Sequence, residues 1–434
     1  MRAGMGRESE VDADTPRRRL VTGRGLAHAL TESPIIVALW VGAILHALLI
    51  FGQVRGRVTH WDFSHYYLSA LAMRAGLNPY TTDLRSLGRV LGIEGIDHAT
   101  YPPAFLLCFE PLTLMTPQAA YWTWFGINVA ALALALALLF REIPSLRMRQ
   151  IMALIPLAIL YPPLGTHFFY AQTQVLILLL FVLMMWAMGR GYDRTAGLFL
   201  ALAGLIKIFP LLMVGYFVTR HRWRAVAYTA AGVVAGALVM IAMIGVQRSL
   251  GFMNGVHSIT SNEFIARPAN IALGSFVSRL FWYASGTMGG GQGALLGWVR
   301  PVVALAAQLL LLGLTARVTW AATAARDADW RAFSLWVVAT ILLAPTAWIH
   351  YAVILLIPFG LVAAAGWASH TGARAVWLTF ASYALLALAM AIGPRLEKGA
   401  PLAAIVVDEC VFISVLLAYC SAYSFAIGGE IIVV

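Results

Sequence analysis

Long apolar runs separated by arginine-bearing connections leave this chain few ways to fold. The runs lie at 34–53, 118–140, 150–163, 173–188, 225–246, 297–319, 332–347, 351–366, 374–393 and 404–427. Roughly 20 helical residues, rising about 1.5 Å each, cross the ~30 Å hydrocarbon layer of a bilayer. Backbone polar groups at that depth must pair within the segment, so such runs become helices. The 434 residues are 61% hydrophobic and only 11% charged, with a mean hydropathy of +0.81. A soluble domain carries about 25% charged residues. The expected fold is therefore an all-α polytopic membrane protein with ten full crossings.

Charge sets the sidedness. The net charge of +11 rests on 30 basic residues, of which only Lys207 and Lys398 are lysines. Read as one patch, that charge would fit nucleic acid. The arginines instead sit between the apolar runs, as the positive-inside rule requires, so membrane lipids and not nucleic acid are the expected partners. Residues 1–32 hold six arginines and read as a disordered cytoplasmic tail with no cleavable signal peptide. Residues 33–430 then form one transmembrane domain in the plasma membrane, with both termini cytoplasmic and external loops at 54–117 and 247–296. Residues 102–116 read as a juxtamembrane helix, because a crossing there would carry Arg141, Arg147 and Arg149 outward. The arginines at 190 and 194 and those at 220, 222 and 224 belong on one side. The stretch between them, 195–218, is expected to dip in and return as two half-helices with Lys207 near the apex. An eleven- or twelve-helix count results.

The unusual polar residues gather at or near the outer face: Asp62, His65, Tyr101, His167, Gln172, Gln174, Asn270, Arg279 and His350. Asp62 stands in Trp61-Asp62-Phe63-Ser64-His65-Tyr66-Tyr67, where it either caps a helix over 64–76 or acts as a base. His350 occupies a short apolar turn, where an imidazole is costly without a task. Lys207, at hydrocarbon depth, calls for an anionic partner. Asp408 and Glu409 are explained by the dipole of the last helix. Cys108, Cys410 and Cys420 have neither metal-ligand nor disulfide-framework spacing, and no metal or cofactor is expected. The glycine-rich 286–293 lacks the Lys-Ser/Thr of a phosphate-binding loop.

Four stretches together resemble glycosyltransferase family 87, over about 34–360. The first joins Asp62, Tyr66-Tyr67, Gly76-Leu77-Asn78-Pro79-Tyr80, Tyr101-Pro102-Pro103 and Pro111-Leu112. The others are Ala171-Gln172-Thr173-Gln174, Ala196-Gly197 through Lys207-Ile208-Phe209-Pro210, and Trp348-Ile349-His350-Tyr351. The resemblance implies a C-type (GT-C) membrane glycosyltransferase fold and a polyprenyl-phosphate sugar donor, as in polyprenol-phosphate-mannose-dependent α-mannosyltransferases. It implies Asp62 as the catalytic acid-base residue. Two positions depart from the family pattern, with Ala171 where glycine is common and Tyr351 where a second histidine often stands.

On that reading a hydroxyl of a glycolipid or glycan acceptor attacks the anomeric carbon of the donor on the outer face, inverting it. Asp62 takes the proton, and His350, backed by Lys207 and Arg279, meets the departing phosphate. Tyr66, Tyr67, Tyr101, Gln172, Gln174, Lys207, Asn270 and Arg279 are the expected substrate-binding residues. Asp62 and His350 should open onto one cavity, within about 10 Å of each other. The competing readings are a transporter or flippase of lipid-linked sugars, and an inactive assembly subunit. A transporter would show paired broken helices in repeated halves, whereas only one segment here is interrupted.

Overall fold

The computed structural model describes residues 33–55, 61–93, 98–143, 145–260, 265, 267, 270–285, 294–322, 326–368, 373–396 and 401–427. The tail expected over 1–32, the glycine-rich 286–293 and Lys398 lie outside them. The described residues form helices joined by short turns, with one isolated β-bridge between Asn270 and Trp348. Seven helices are long and apolar enough to cross a membrane: Pro34–Arg55, Pro117–Glu142, Trp223–Ile244, Trp298–Ala321, Ile349–Trp367, Ala373–Ile392 and Glu409–Ala426. An eighth crossing forms if Met148–Ile159 and Pro162–Phe169, bent by 49°, count as one. Pro162 and Pro163 cause that bend, since neither has a backbone N–H to continue the first helix. This is a multi-pass membrane protein.

Two of the ten expected crossings fall short of that standard. Gln174–Met188 has 15 residues, about 22 Å of helix. Arg326–Leu343 opens on Arg326, Asp327, Asp329 and Arg331. Both helices are largely buried, so they face protein and escape the length and polarity limits that lipid imposes.

Residues 102–116 form a short α-helix, Pro103–Phe109, and a 3₁₀ turn, Glu110–Leu114. Twelve residues cannot span the hydrocarbon. Prolines open this helix and several others at the first turn, where a missing N–H costs nothing. The helix packs on Trp61–Arg74 through a separate aromatic core of Phe63, Tyr66, Phe105, Phe109, Tyr121 and Trp124. The main core fills the bundle around Phe181, Tyr216, Phe333 and Trp336.

Between Asp193 and Thr219 the chain doubles back. Asp193–Ile206 ends at Lys207, whose backbone is extended (φ −147°, ψ 145°). Pro210 then opens a 3₁₀ turn, Phe209–Met213, followed by Val214–Thr219. Gly204 has no side chain, and Leu211 packs into the space a Cβ would fill. That contact needs a sharp turn of the chain at Lys207. At the base, Arg222 pairs with Asp193 at 2.6 Å and with Asp329 at 2.5 Å, and Arg220 pairs with Asp329 at 2.8 Å. The hairpin thus starts and ends at one end of the bundle, with Lys207 about 20 Å away at its tip.

Candidate active site

The helix Trp61–Arg74 begins three residues before the expected 64, placing Asp62 in its first turn. Residues 62, 65 and 66 share one face of such a helix. Asp62 and His65 line a cavity of about 1990 Å³, and Tyr66 is fully buried behind them. Asp62 reaches outward from its helix: the Tyr101 hydroxyl donates to its Oδ1 at 3.5 Å. Tyr101 is held in turn by Tyr80, whose hydroxyl donates to the Tyr101 carbonyl at 2.7 Å. Its ring stands edge-on to Tyr66 at 4.7 Å.

Gln172 comes from the turn before Gln174–Met188. Ala171 adopts a left-handed conformation (φ 53°), which costs a non-glycine residue about 1–2 kcal/mol. The Trp124 indole donates to the Ala171 carbonyl at 2.8 Å, and Gln172 N–H donates to the His167 carbonyl at 2.9 Å. The Gln172 side chain is thereby turned into the centre. Its Oε1 accepts from Lys207 Nζ at 3.0 Å and from the Tyr66 hydroxyl at 3.4 Å. The Lys207 ammonium also lies over the rings of Tyr351 at 4.4 Å and Tyr101 at 5.3 Å.

His350 enters from the 3₁₀ helix Ile349–Leu355 and lines the same cavity. Its buried Nε2 has no hydrogen-bond partner in the protein, and Tyr170 flanks its ring at 6.4 Å. Asn270 fixes this turn. Its Oδ1 accepts from Ala347 N–H at 2.9 Å and Ala272 N–H at 3.2 Å, and Ile271 N–H donates to the Ala347 carbonyl at 2.6 Å. Arg279 supports Asn270 in turn. It donates to the Asn270 carbonyl at 2.7 Å and grips Glu409 through two bonds of 2.6 and 3.0 Å; Glu409 lies well inside Pro401–Ala426, so this ion pair and not the helix dipole accounts for it.

The structure thus brings Asp62, Tyr101, Gln172, Lys207 and His350 to one cavity, with Tyr66 immediately behind. It does not bring the other four there. Tyr67 turns away to donate to the Met115 carbonyl at 2.8 Å. Asn270 and Arg279 brace the His350 turn from outside. Gln174 is buried with neither amide atom partnered and does not line the cavity. Sequence reasoning passed over Tyr351 as a departure only, although it forms the nearer ring beneath Lys207. It also passed over His46, which lines the cavity from the first span. An imidazole midway along an otherwise apolar span was the available signal.

Burial pushes the Asp62 carboxyl up to about 6, against the opposing pull of the Lys207 charge and hydrogen bonds from Gln172 and Tyr101. Burial lowers His65 to about 4, so it is neutral near pH 7. Burial, reinforced by neighbouring groups including Asp62, holds the Tyr66 and Tyr101 phenols well above their usual range, leaving them donors. Asp62 is the one carboxylate among the described residues lining the cavity. The arrangement is a base of near-neutral pKa that shares with a cation and an imidazole a cavity large enough for two ligands, since ordinary pockets hold about 300–1,000 Å³.

A helical membrane bundle with an acid-base cavity is the class that fold and site define. Residues 99–346, more than half of the chain, match glycosyltransferase family 87, and the chain belongs to that family. Asp62 and His350 fall outside the matched stretch. A polyprenol-phosphate-mannose-dependent alpha-(1-2)-phosphatidylinositol pentamannoside mannosyltransferase of Mycolicibacterium smegmatis is 31% identical over 150 residues, 34% of this chain and 36% of that protein. The match therefore spans about a third of the relative's length. The crystal structure of ArnT from Cupriavidus metallidurans in the apo state aligns over 91% of this chain and 78% of its own, at 13% identity. Its TM-score is 0.37.

Proposed function

We propose that this protein transfers a hexose, mannose, from a polyprenyl-phosphate sugar to a glycolipid or glycan acceptor at the outer face of the plasma membrane. One observation carries the reading: Asp62, the one carboxylate among the described residues lining the cavity, shares it with Lys207 and His350, and burial raises its pKa to about 6. An acceptor hydroxyl attacks the anomeric carbon and its proton passes to Asp62. The bond from that carbon to the phosphate oxygen breaks, and the electron pair leaves with the phosphate. Lys207 and the Nε2–H tautomer of His350 stabilise the charge that develops there. Glycosidases that act through hydrolysis use two carboxylates. One suffices here because a phosphate leaves without protonation, and with Asp62 the one carboxylate among the described residues lining the cavity the reading is a single, inverting displacement. The family membership supports the transferase class, and the polyprenol-phosphate-mannose dependence of the mycobacterial relative supports the donor. The polar loops 54–117 and 247–296 are the proposed external walls of one transmembrane domain over 33–430.

The test is to incubate membranes carrying the protein with radiolabelled polyprenyl-phosphate mannose. A labelled glycolipid or glycan should form with the wild type and not with Asp62→Asn. Label that crosses the membrane with the polyprenyl phosphate still attached would instead establish a flippase.

A further inference from the structure

The centre of the cavity holds an anion and a cation that are not bonded to each other, and the group between them is an amide. Lys207 spends its hydrogen bond on Gln172 Oε1 at 3.0 Å rather than on Asp62. The same oxygen lies 3.4 Å from both the Tyr66 and the Tyr101 hydroxyl. An amide oxygen has two lone pairs. Lys207 and Tyr66 fill them, which leaves the Tyr101 proton for Asp62 Oδ1, 3.5 Å away. With its oxygen committed to Lys207, the amide must turn its NH₂ toward Asp62, consistent with the hydrogen bond from Gln172 that lowers the Asp62 pKa. We propose that Gln172 is a positioning residue that keeps the Asp62 carboxylate and the Lys207 ammonium apart, as two separate charges on either side of one substrate centre. This rests on reading Asp62 as the base.

The physical need is specific. A lysine on an extended residue at a helix break has a long, mobile stem, and nothing but an intervening group stops it from closing on a carboxylate in the same cavity. A direct ion pair lowers a carboxylate pKa by roughly 1–3 units and makes it a poorer base. It also spends the positive charge that a leaving phosphate needs. The backbone around Gln172 is held for this task. Ala171 is left-handed, at φ 53°, and Trp124 and His167 pin the carbonyl and the N–H of the peptide link that joins it to Gln172. Strain of this kind persists where its surroundings over-determine it, often at functional positions.

The test uses the full chain in lipid nanodiscs and reads the Asp62 carboxyl by pH-titrated infrared difference spectra, with Asp62→Asn as the blank. The wild-type midpoint should lie near 6. In Gln172→Leu, Lys207 closes on Asp62 and the midpoint should fall by about one unit or more. Adding Lys207→Met should return it to the wild-type position or above. A midpoint that stays put or rises in Gln172→Leu overturns the proposal, because a residue that only donates to Asp62 raises the pKa when it is lost. Gln172→Met carries the same test if the leucine variant does not fold. The spectra need no turnover. An inactive wild type that shows the shift refutes the transferase reading and leaves the spacing role standing. In an active protein the acid limb of kcat/KM should move with the midpoint, while a lost substrate contact would raise KM and leave the limb in place.

Discussion

At the scale of single residues, the site depends on what burial does to Asp62. A carboxyl at its usual value would be fully ionised at neutral pH but a weak base, whereas one at about 6 is ionised and stronger. Its pKa is raised, so the reactive form is present above that value and is lost as pH falls through it. The wild-type kcat/KM should therefore rise with pH to a plateau above about 6, measured with labelled donor across pH 4.5–8.0. Asp62→Asn keeps the shape and should lower transfer by about 10²- to 10⁴-fold, the usual contribution of a general base. Equal rates would return Asp62 to a structural role. Ala171 offers a test of the opposite sign. Glycine adopts a left-handed backbone without a Cβ clash, so Ala171→Gly should stabilise the protein by about 1 kcal/mol, seen as a higher midpoint in detergent melting. Transfer should hardly change, because the groups pinned there, the carbonyl of residue 171 and the Gln172 N–H, are backbone groups that glycine leaves in place. The alanine here is the residue that departs from the family pattern, and the chain tolerates it at that cost.

At the scale of elements, the hairpin over 193–219 delivers Lys207, and its base latches it. Arg222 bridges Asp193 and Asp329 while Arg220 adds to Asp329, tying both arms to the helix Arg326–Leu343. These groups are part-buried, with side-chain exposures from 9% to 25%, so losing one partner costs more than breaking a surface pair. Arg222→Gln should destabilise by about 1–3 kcal/mol, the range for an abandoned buried polar partner. It should also reduce transfer without touching the cavity, because a loosened base lets the tip and its ammonium wander. Melting and transfer measured on the same preparation check both. Unchanged transfer would mean that packing alone sets the tip. The hairpin could be read in the sequence because the positive-inside rule needs both arginine clusters on one side, and only a return can satisfy that across so few residues. The buried helix Gln174–Met188 could not be distinguished from a full crossing, since both are continuous apolar runs and only three-dimensional packing says which faces lipid. The role of Asn270 and Arg279 was hidden for a similar reason. A polar residue that braces a turn looks the same in one dimension as one that binds substrate.

For the whole molecule, the site is a product of distant segments. Residues 62, 101, 172, 207 and 350 converge through a surface helix, a strap, a strained turn, a hairpin tip and a 3₁₀ turn. Asp62 and His350 stood out because each is an ionisable group without local need. The Gln172 bridge between Asp62 and Lys207 could not, because it exists only once three segments have met. The same convergence makes sidedness testable. All the converging groups lie at the end of the bundle opposite the Arg190, Arg220 and Arg222 cluster, as the hairpin requires, so the side on which those arginines sit fixes the side from which substrate enters. In the orientation proposed above they lie in the cytoplasm, as the positive-inside rule expects, and with them the connection at Arg141, Arg147 and Arg149. Ser86, exposed on the short helix Leu84–Leu91, then faces outward, and Ser145, exposed beyond Glu142, faces inward. Cysteines introduced singly at these two positions, with Cys108, Cys410 and Cys420 replaced by serine, are to be treated on intact cells with a membrane-impermeant maleimide. Ser86→Cys should label at once and Ser145→Cys only after permeabilisation. Labelling of Ser145→Cys in intact cells would turn the cavity toward the cytoplasm and remove the outward-facing reaction, whereas equal labelling of both would mean that Pro103–Leu114 and its neighbours do not stay on one surface.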